Sequence, residues 1–165
     1  MPERAARWTR WLAVSAAVVA ADLATKAWVS HVFVPGESVT VTPFFNLVLA
    51  YNTGAAFSFL ADAGGWQRWF FTVVTIVISI GIVVMLARQR SAPSVSAALA
   101  LVLGGALGNL YDRLTLGHVV DFVQLHAAGY YWPAFNVADS AISIGVALLI
   151  WDGVRPRGRL GQEKP

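Results

Sequence analysis

The sequence predicts an all-α integral membrane protein with four transmembrane helices and a small β element on its outer face. Hydrophobic residues make up 57% of the 165 residues and charged residues 13%. In soluble domains, about 45–50% of residues are apolar and about 25% are charged. Four apolar segments approach the roughly 20 residues that a helix needs to cross the hydrocarbon core: about 11–30, 69–87, 94–111 and 134–151. We expect one membrane-embedded domain covering residues 1–165.

The first apolar segment also has the basic start and apolar middle of a cleaved signal peptide. Arg4, Arg7 and Arg10 precede it. However, Asp22 and Lys26 lie where a signal peptide is apolar or small, and three further spans follow. We therefore expect this segment to be retained as a transmembrane helix.

The basic residues predict the orientation of the chain. Cytoplasmic loops of membrane proteins are enriched in Lys and Arg, and the segments 31–68 and 113–133 carry only Arg68 and Arg113. Both termini are therefore predicted to be cytoplasmic, with 31–68 on the outer face. The predicted cytoplasmic clusters are Arg4, Arg7 and Arg10, then Arg88 and Arg90, and finally Arg155, Arg157, Arg159 and Lys164.

The outer segment 31–68 is too long for a plain turn. Its stretches "ESVTVTPFF" and "FFNLVLAY" are rich in β-branched and aromatic residues, which favours two strands, and "NTG" is typical of a turn. The stretch "AAFSFLADAGGW" then reads as a short amphipathic element.

Three of the four spans carry polar residues at the i, i+3 and i+4 spacing that places side chains on one helix face. Given the predicted orientation, all three stripes lie toward the outer face. Ionisable residues inside membrane helices normally face the bundle interior or a cavity and mark function. The stripes are Asp22, Thr25 and Lys26, then Asn109, Asp112 and Arg113, and finally Asn136, Asp139, Ser140 and Ser143.

Structural roles remain open for several of these residues. Asp22 and Lys26 have the spacing of an i, i+4 ion pair, and Asp112 and Arg113 are compatible with anchoring a helix end at the interface. Asp139 is the hardest to explain structurally, because no basic residue lies within four positions of it. Two further structural features are the GxxxG pair Gly104 and Gly108, which favours close helix packing, and Ser140 and Ser143, which favour interhelical hydrogen bonds.

Asp121 and Asp139 flank the outer loop between spans three and four, so the two carboxylates can meet at the membrane surface. Two carboxylates at one site cannot easily both ionise, and they share a proton. Such a pair can activate water while it protonates a carbonyl oxygen or a leaving amine. Glycoside and transport chemistry also use paired carboxylates, so spacing alone leaves those classes open.

Composition argues against several other classes. The chain has no cysteine, which excludes a disulfide framework, a cysteine nucleophile and a thiolate metal site. Its histidines, His31, His118 and His126, lack metal-ligand spacing. No basic groove with interleaved aromatic residues is present, which argues against nucleic acid. We therefore expect neither a metal nor any other cofactor.

Five ordered blocks resemble lipoprotein signal peptidase (signal peptidase II), the bacterial inner-membrane aspartic peptidases of family A8. The blocks are "DLATK" (22–26), "YNTGAAFSF" (51–59), "GGALGNLYDR" (104–113), "GHVVDF" (117–122) and "FNVADS" (135–140). The resemblance implies four transmembrane helices, an outer-face β element and a short outer-face helix. It also implies removal of the signal peptide from prolipoproteins, just before a cysteine that carries a diacylglyceryl group.

The same resemblance implies roles for individual residues. Asp121 and Asp139 correspond to the catalytic dyad, and the family is inhibited by globomycin, which occupies the same pocket. The expected partners are thus the diacylglyceryl-prolipoprotein and membrane lipids, and the expected location is the bacterial inner membrane with the active site facing outward. The residues implied to bind substrate or support the site are Asn52, Gly54, Asn109, Asp112, Arg113, Asn136, Asp22 and Lys26.

Two other functions are weaker. A small proton-coupled transporter would use intramembrane carboxylates as relay groups. It predicts polar residues at several depths or inverted repeats, and the sequence shows neither. A non-enzymatic scaffold would leave Asp139 unexplained.

Overall fold

The computed structural model describes residues 2–54, 65–88 and 93–155. Four helices in the described part are long and apolar enough to span a membrane, which confirms the four predicted spans. The fourth begins at Val137 rather than near residue 134, because Asn136 caps it. The helices are α1 (Pro2–Val32), α2 (Trp66–Arg88), α3 (Pro93–Thr115) and α4 (Val137–Val154).

A four-stranded antiparallel sheet accompanies the helices, with strand order β1-β2-β3-β4. The two predicted strands are confirmed as β1 (Ser38–Thr42) and β2 (Phe45–Asn52). β3 (Val119–Ala127) and β4 (Tyr130–Tyr131) enlarge the sheet beyond the predicted element. The expected short outer-face helix, in the amphipathic stretch 55–66, falls mostly on residues 55–64, outside the described residues.

Strands β3 and β4 form a tight hairpin. Ala128 and Gly129 connect them, and both have positive φ, at 49° and 83°. This combination is typical of two-residue type I′ turns, whose twist matches that of the flanking strands. The hairpin therefore has a defined conformation at its end.

Small residues allow α3 to pack closely against α1 and α4. A Cβ atom on Gly104 would lie 2.7 Å from Cβ of Val18 in α1, and one on Gly108 would lie 2.6 Å from Oδ2 of Asp22. A Cβ on Gly105 would collide with the carbonyl oxygen of Ala138 in α4. The GxxxG pair therefore mediates close helix packing, as predicted, with α1 as its partner.

The sheet rests on the C-terminal end of α1. Val29 of α1 forms one buried cluster with Leu49 of β2 and with Val120 and Phe122 of β3. Phe33, just beyond α1, packs against the same cluster. The sheet is thus held where α1 ends, beside the C-terminal end of α3 and the N-terminal end of α4.

Candidate active site

Asp121 lies on β3 opposite Ala50 of β2, and only 2% of its surface is exposed. Two amide side chains bind its carboxylate. Nδ2 of Asn52 donates to Oδ2 over 3.1 Å, and Nδ2 of Asn136 donates to Oδ1 over 2.7 Å. The carboxylate is therefore fixed by one residue from the sheet and one from the start of α4.

Asp139 lies in the first turn of α4, where the helix dipole favours a negative charge. Asn136 is the N-cap, and its Oδ1 accepts from the backbone N–H of Asp139 over 2.8 Å. Nδ2 of Asn109 on α3 donates to Oδ1 of Asp139 over 2.7 Å. Asn136 thus contacts both segments at once, binding the Asp121 side chain and the Asp139 backbone.

Burial and the neighbouring charge make Asp121 difficult to ionise. Burial, and then the charge of Asp139, raise the pKa of Asp121 from its ordinary 3.8 to about 7. The hydrogen bonds from Asn52 and Asn136 oppose this shift, because they stabilise the carboxylate. Asp121 therefore retains a proton to near-neutral pH.

A buried ion triad lies next to the two carboxylates. Nζ of Lys26 is 2.7 Å from Oδ2 of Asp22 and 2.9 Å from Oδ2 of Asp112, and all three side chains are at most 4% exposed. Lys26 also donates to Oδ1 of Asn109 over 3.0 Å. The predicted pair of Asp22 and Lys26 is confirmed, and Asp112 joins it from α3.

Each carboxylate of the triad also binds the backbone beside one of the two paired aspartates. Oδ1 of Asp22 accepts from the N–H of Ala138 over 2.8 Å, one residue before Asp139. Oδ2 of Asp112 accepts from the N–H of Val120 over 3.1 Å, one residue before Asp121. Lys26 therefore links the two backbone segments that carry the aspartates.

Arg113 contacts a different part of the site. Its guanidinium donates to the carbonyl oxygen of Gly54 over 3.1 Å and to that of Asn109 over 3.4 Å, and it lies 5.6 Å from the ring centre of Phe71. The N–H of Gly54 donates to Oδ1 of Asn52 over 3.0 Å. Arg113 and Gly54 together hold the end of β2 and orient the amide that binds Asp121.

Comparison with known proteins identifies the family. A family model described as "Signal peptidase (SPase) II" matches residues 14–155. The chain belongs to the signal peptidase II family. It is 52% identical over 145 residues to a lipoprotein signal peptidase of Paraburkholderia phymatum, covering 88% of this chain and 87% of that protein.

Further relatives of the signal peptidase II chain agree with this assignment. A lipoprotein signal peptidase of Janthinobacterium sp. is 52% identical over 149 residues, which is 90% of each chain. A solved "Bacterial membrane enzyme structure by the in meso method" matches with a TM-score of 0.83 at 31% identity, covering 95% of this chain and 94% of the other. The chain is therefore a membrane peptidase, and these matches do not favour the transporter alternative.

The structure brings all ten predicted site residues of this signal peptidase II chain into one connected network. Two interpretations made from the sequence are nevertheless wrong. Asp112 does not anchor a helix end beside Arg113, because it is buried and pairs with Lys26 of α1. Among the described residues, the Ser140 hydroxyl donates to the carbonyl oxygen of Asn136, one turn earlier in the chain, rather than to another helix.

Two features that build the candidate site were not predicted from the sequence. The stretch "VVDFVQLHA" forms β3, and its β-branched residues were a usable strand signal. The sequence indicates a role for Arg68 only in orientation, yet its guanidinium donates to the carbonyl oxygen of Leu114 over 2.9 Å at the end of α3. Among the described residues, no group of three His, Asp or Glu side chains could hold a metal ion.

Proposed function

We propose that the chain is an aspartic endopeptidase that removes the signal peptide from diacylglyceryl-modified bacterial prolipoproteins. It cleaves just before the lipidated cysteine, and Asp121 and Asp139 are its catalytic dyad. The observation that carries the proposal is the shared site. Asn136 links the two aspartates, and burial together with the charge of Asp139 raises the pKa of Asp121 to about 7.

In the proposed reaction, Asp121 holds the proton of the dyad and Asp139 is ionised. Asp139 takes a proton from a water molecule, whose oxygen attacks the scissile carbonyl carbon, while Asp121 donates its proton to the carbonyl oxygen. The tetrahedral intermediate then collapses with cleavage of the C–N bond. The amine leaves with the proton that Asp139 received, and the hydroxyl proton returns to Asp121.

The surrounding residues position this dyad. The amides of Asn52, Asn109 and Asn136 fix the two carboxylates. The triad of Asp22, Lys26 and Asp112 fixes the backbone next to each aspartate, so it controls their separation. Catalysis benefits from such preorganisation, because no reorientation is then needed in the transition state.

The location of the dyad supports a lipidated substrate. Asp139 begins α4, and its partner Asn109 lies in the last two turns of α3, so both lie toward one end of the spanning helices. We place this end at the outer face of the bacterial inner membrane, because Arg88 and Arg155 lie at the opposite end and basic residues favour the cytoplasm. Acyl chains would hold the scissile bond at the depth of the dyad.

The test is cleavage of a diacylglyceryl prolipoprotein peptide by purified protein. Asp121→Asn and Asp139→Asn should each abolish cleavage and retain near-normal thermal unfolding, whereas Asp152→Asn, at the other end of α4, should remain active. The unlipidated peptide should be a very poor substrate. Wild-type activity should withstand chelators and be inhibited by globomycin. Substantial activity in either dyad variant would disprove the assignment.

A further inference from the structure

The sheet carries almost no charge, although much of it is exposed. Residues 38–54 and 114–138 contain one Asp, Glu, Lys or Arg, which is Asp121, and that side chain is buried. Sheets that face bulk water normally protect their edges with charged residues, especially Lys. The exposed surface of this sheet is therefore unusual for a surface in water.

The apolar side chains concentrate at the end of the sheet away from Asp121. There the N–H of His126 donates to the carbonyl oxygen of Phe44 over 2.9 Å, and the His126 ring stacks on Tyr131. The N–H of Trp132 donates to the carbonyl oxygen of Leu125 over 2.8 Å. We call five exposed apolar residues of this end the aromatic tip: Phe44, Leu125, Tyr130, Tyr131 and Trp132, which are 42–84% exposed.

The sheet lies at the same end of the molecule as a set of exposed aromatic residues on the spanning helices. It packs on the last turns of α1 through Val29. Tyrosine and tryptophan concentrate at membrane–water interfaces, where their apolar bodies and polar groups are both accommodated. The exposed helix aromatics at this end are Trp28, Trp66, Trp69, Phe70 and Tyr111.

We propose that the aromatic tip inserts into the boundary between headgroups and acyl chains of the outer leaflet, as a membrane anchor separate from the spanning helices. Its partner is lipid rather than protein, because the tip continues the aromatic belt of the helices and offers no charge for a protein partner to recognise. The anchor holds the outer part of the sheet against the bilayer, while the opposite end of β3 carries Asp121.

The absence of cysteine allows labels to be placed at single sites. Tyr130→Cys and, as a second position in the tip, Leu125→Cys would carry a nitroxide in full-length protein reconstituted in phosphatidylethanolamine–phosphatidylglycerol vesicles. Glu37→Cys, an exposed site at the other end of β1, provides the aqueous reference. Val77→Cys, which is 62% exposed on α2, provides the hydrocarbon reference. Thermal unfolding verifies that each labelled protein is folded.

We expect both tip labels to collide less often with a water-soluble nickel chelate, and more often with oxygen, than the label at Glu37. Their values should lie between those of the Glu37 and Val77 references. Aqueous accessibility equal to that at Glu37 would overturn the proposal. Protection that disappears when the protein is diluted into more lipid would assign the tip to a second copy of the chain and would also overturn it. Neither readout requires peptidase activity, so the result is independent of the proposed reaction.

Discussion

Helices α2 and α3 each have 23 residues, and both are apolar enough to span a membrane, yet they have different environments. In the most apolar window of α3, 56% of the residues are buried inside the protein, compared with 22% in that of α2. Glycine and alanine let α3 approach α1 and α4, whereas the large β-branched residues of α2 remain exposed. The polar site is built on α3, where helix packing excludes lipid, because buried ionisable groups need partners on adjacent elements.

Breaking the ion triad should give the largest loss of stability. Lys26→Met leaves the carboxylates of Asp22 and Asp112 buried without their cation, which costs roughly 3–5 kcal/mol for a broken buried pair. Thermal unfolding in detergent measures the loss. Adding Asp112→Asn to Lys26→Met should recover part of it, because one uncompensated charge is removed. Equal stability of wild type and Lys26→Met would show that α3 does not depend on this charge.

Adding a side chain to a glycine should destabilise the protein in α3 but not in α2. Gly105→Val forces a side chain against the Ala138 carbonyl, and overpacking of this kind costs about 1–3 kcal/mol or more. Gly81→Val in α2 is the matched control, because a Cβ there meets nothing within 4 Å. Its effect should stay within about 0.5 kcal/mol. Similar melting temperatures for the two variants would contradict the packing described for α3.

The pH dependence of folding stability and of cleavage should be set by Asp121. Its folded-state pKa of about 7 lies above its ordinary 3.8, so between these values the folded chain holds a proton that the unfolded chain has lost. The stabilisation is fully present below about pH 4 and is lost as the pH rises through about 7. Cleavage should likewise decline above pH 7, by about tenfold per unit.

Two comparisons test the pH prediction. Asp121→Asn should lack this part of the stability profile, measured as melting temperature against pH, whereas Gly81→Val should retain it. Activity that rises steadily from pH 7 to pH 9, in an assay where the substrate is unchanged, would contradict a dyad that needs its proton.

Removing buried hydroxyls from α2 should have the smallest effect. Within the described part of the chain, the hydroxyls of Thr72 and Ser79 have no hydrogen-bond partner. Thr72→Val and Ser79→Ala should therefore change the free energy of unfolding by less than about 1 kcal/mol. Thermal unfolding checks this, and a loss as large as that of Lys26→Met would reveal a polar network on α2.

The sequence by itself determined the four spans and the convergence of polar residues. Span length follows from bilayer thickness, and charged residues within a span must find partners, so both leave local signals. Asp22 and Lys26 were predictable as a pair because i, i+4 neighbours meet on any helix. The strands β1 and β2 were also predictable, from their β-branched composition.

Only the tertiary structure decided which groups pair across elements. Asp112 is adjacent to Arg113 in sequence but binds Lys26, 86 positions away, because helix packing brings α1 and α3 together and turns Arg113 toward Gly54. Likewise, the link from Asn136 to both Asp121 and Asp139 depends on where β3 lies relative to the first turn of α4. Local periodicity determines the face on which a side chain lies, whereas its partner is set by the packing of distant segments.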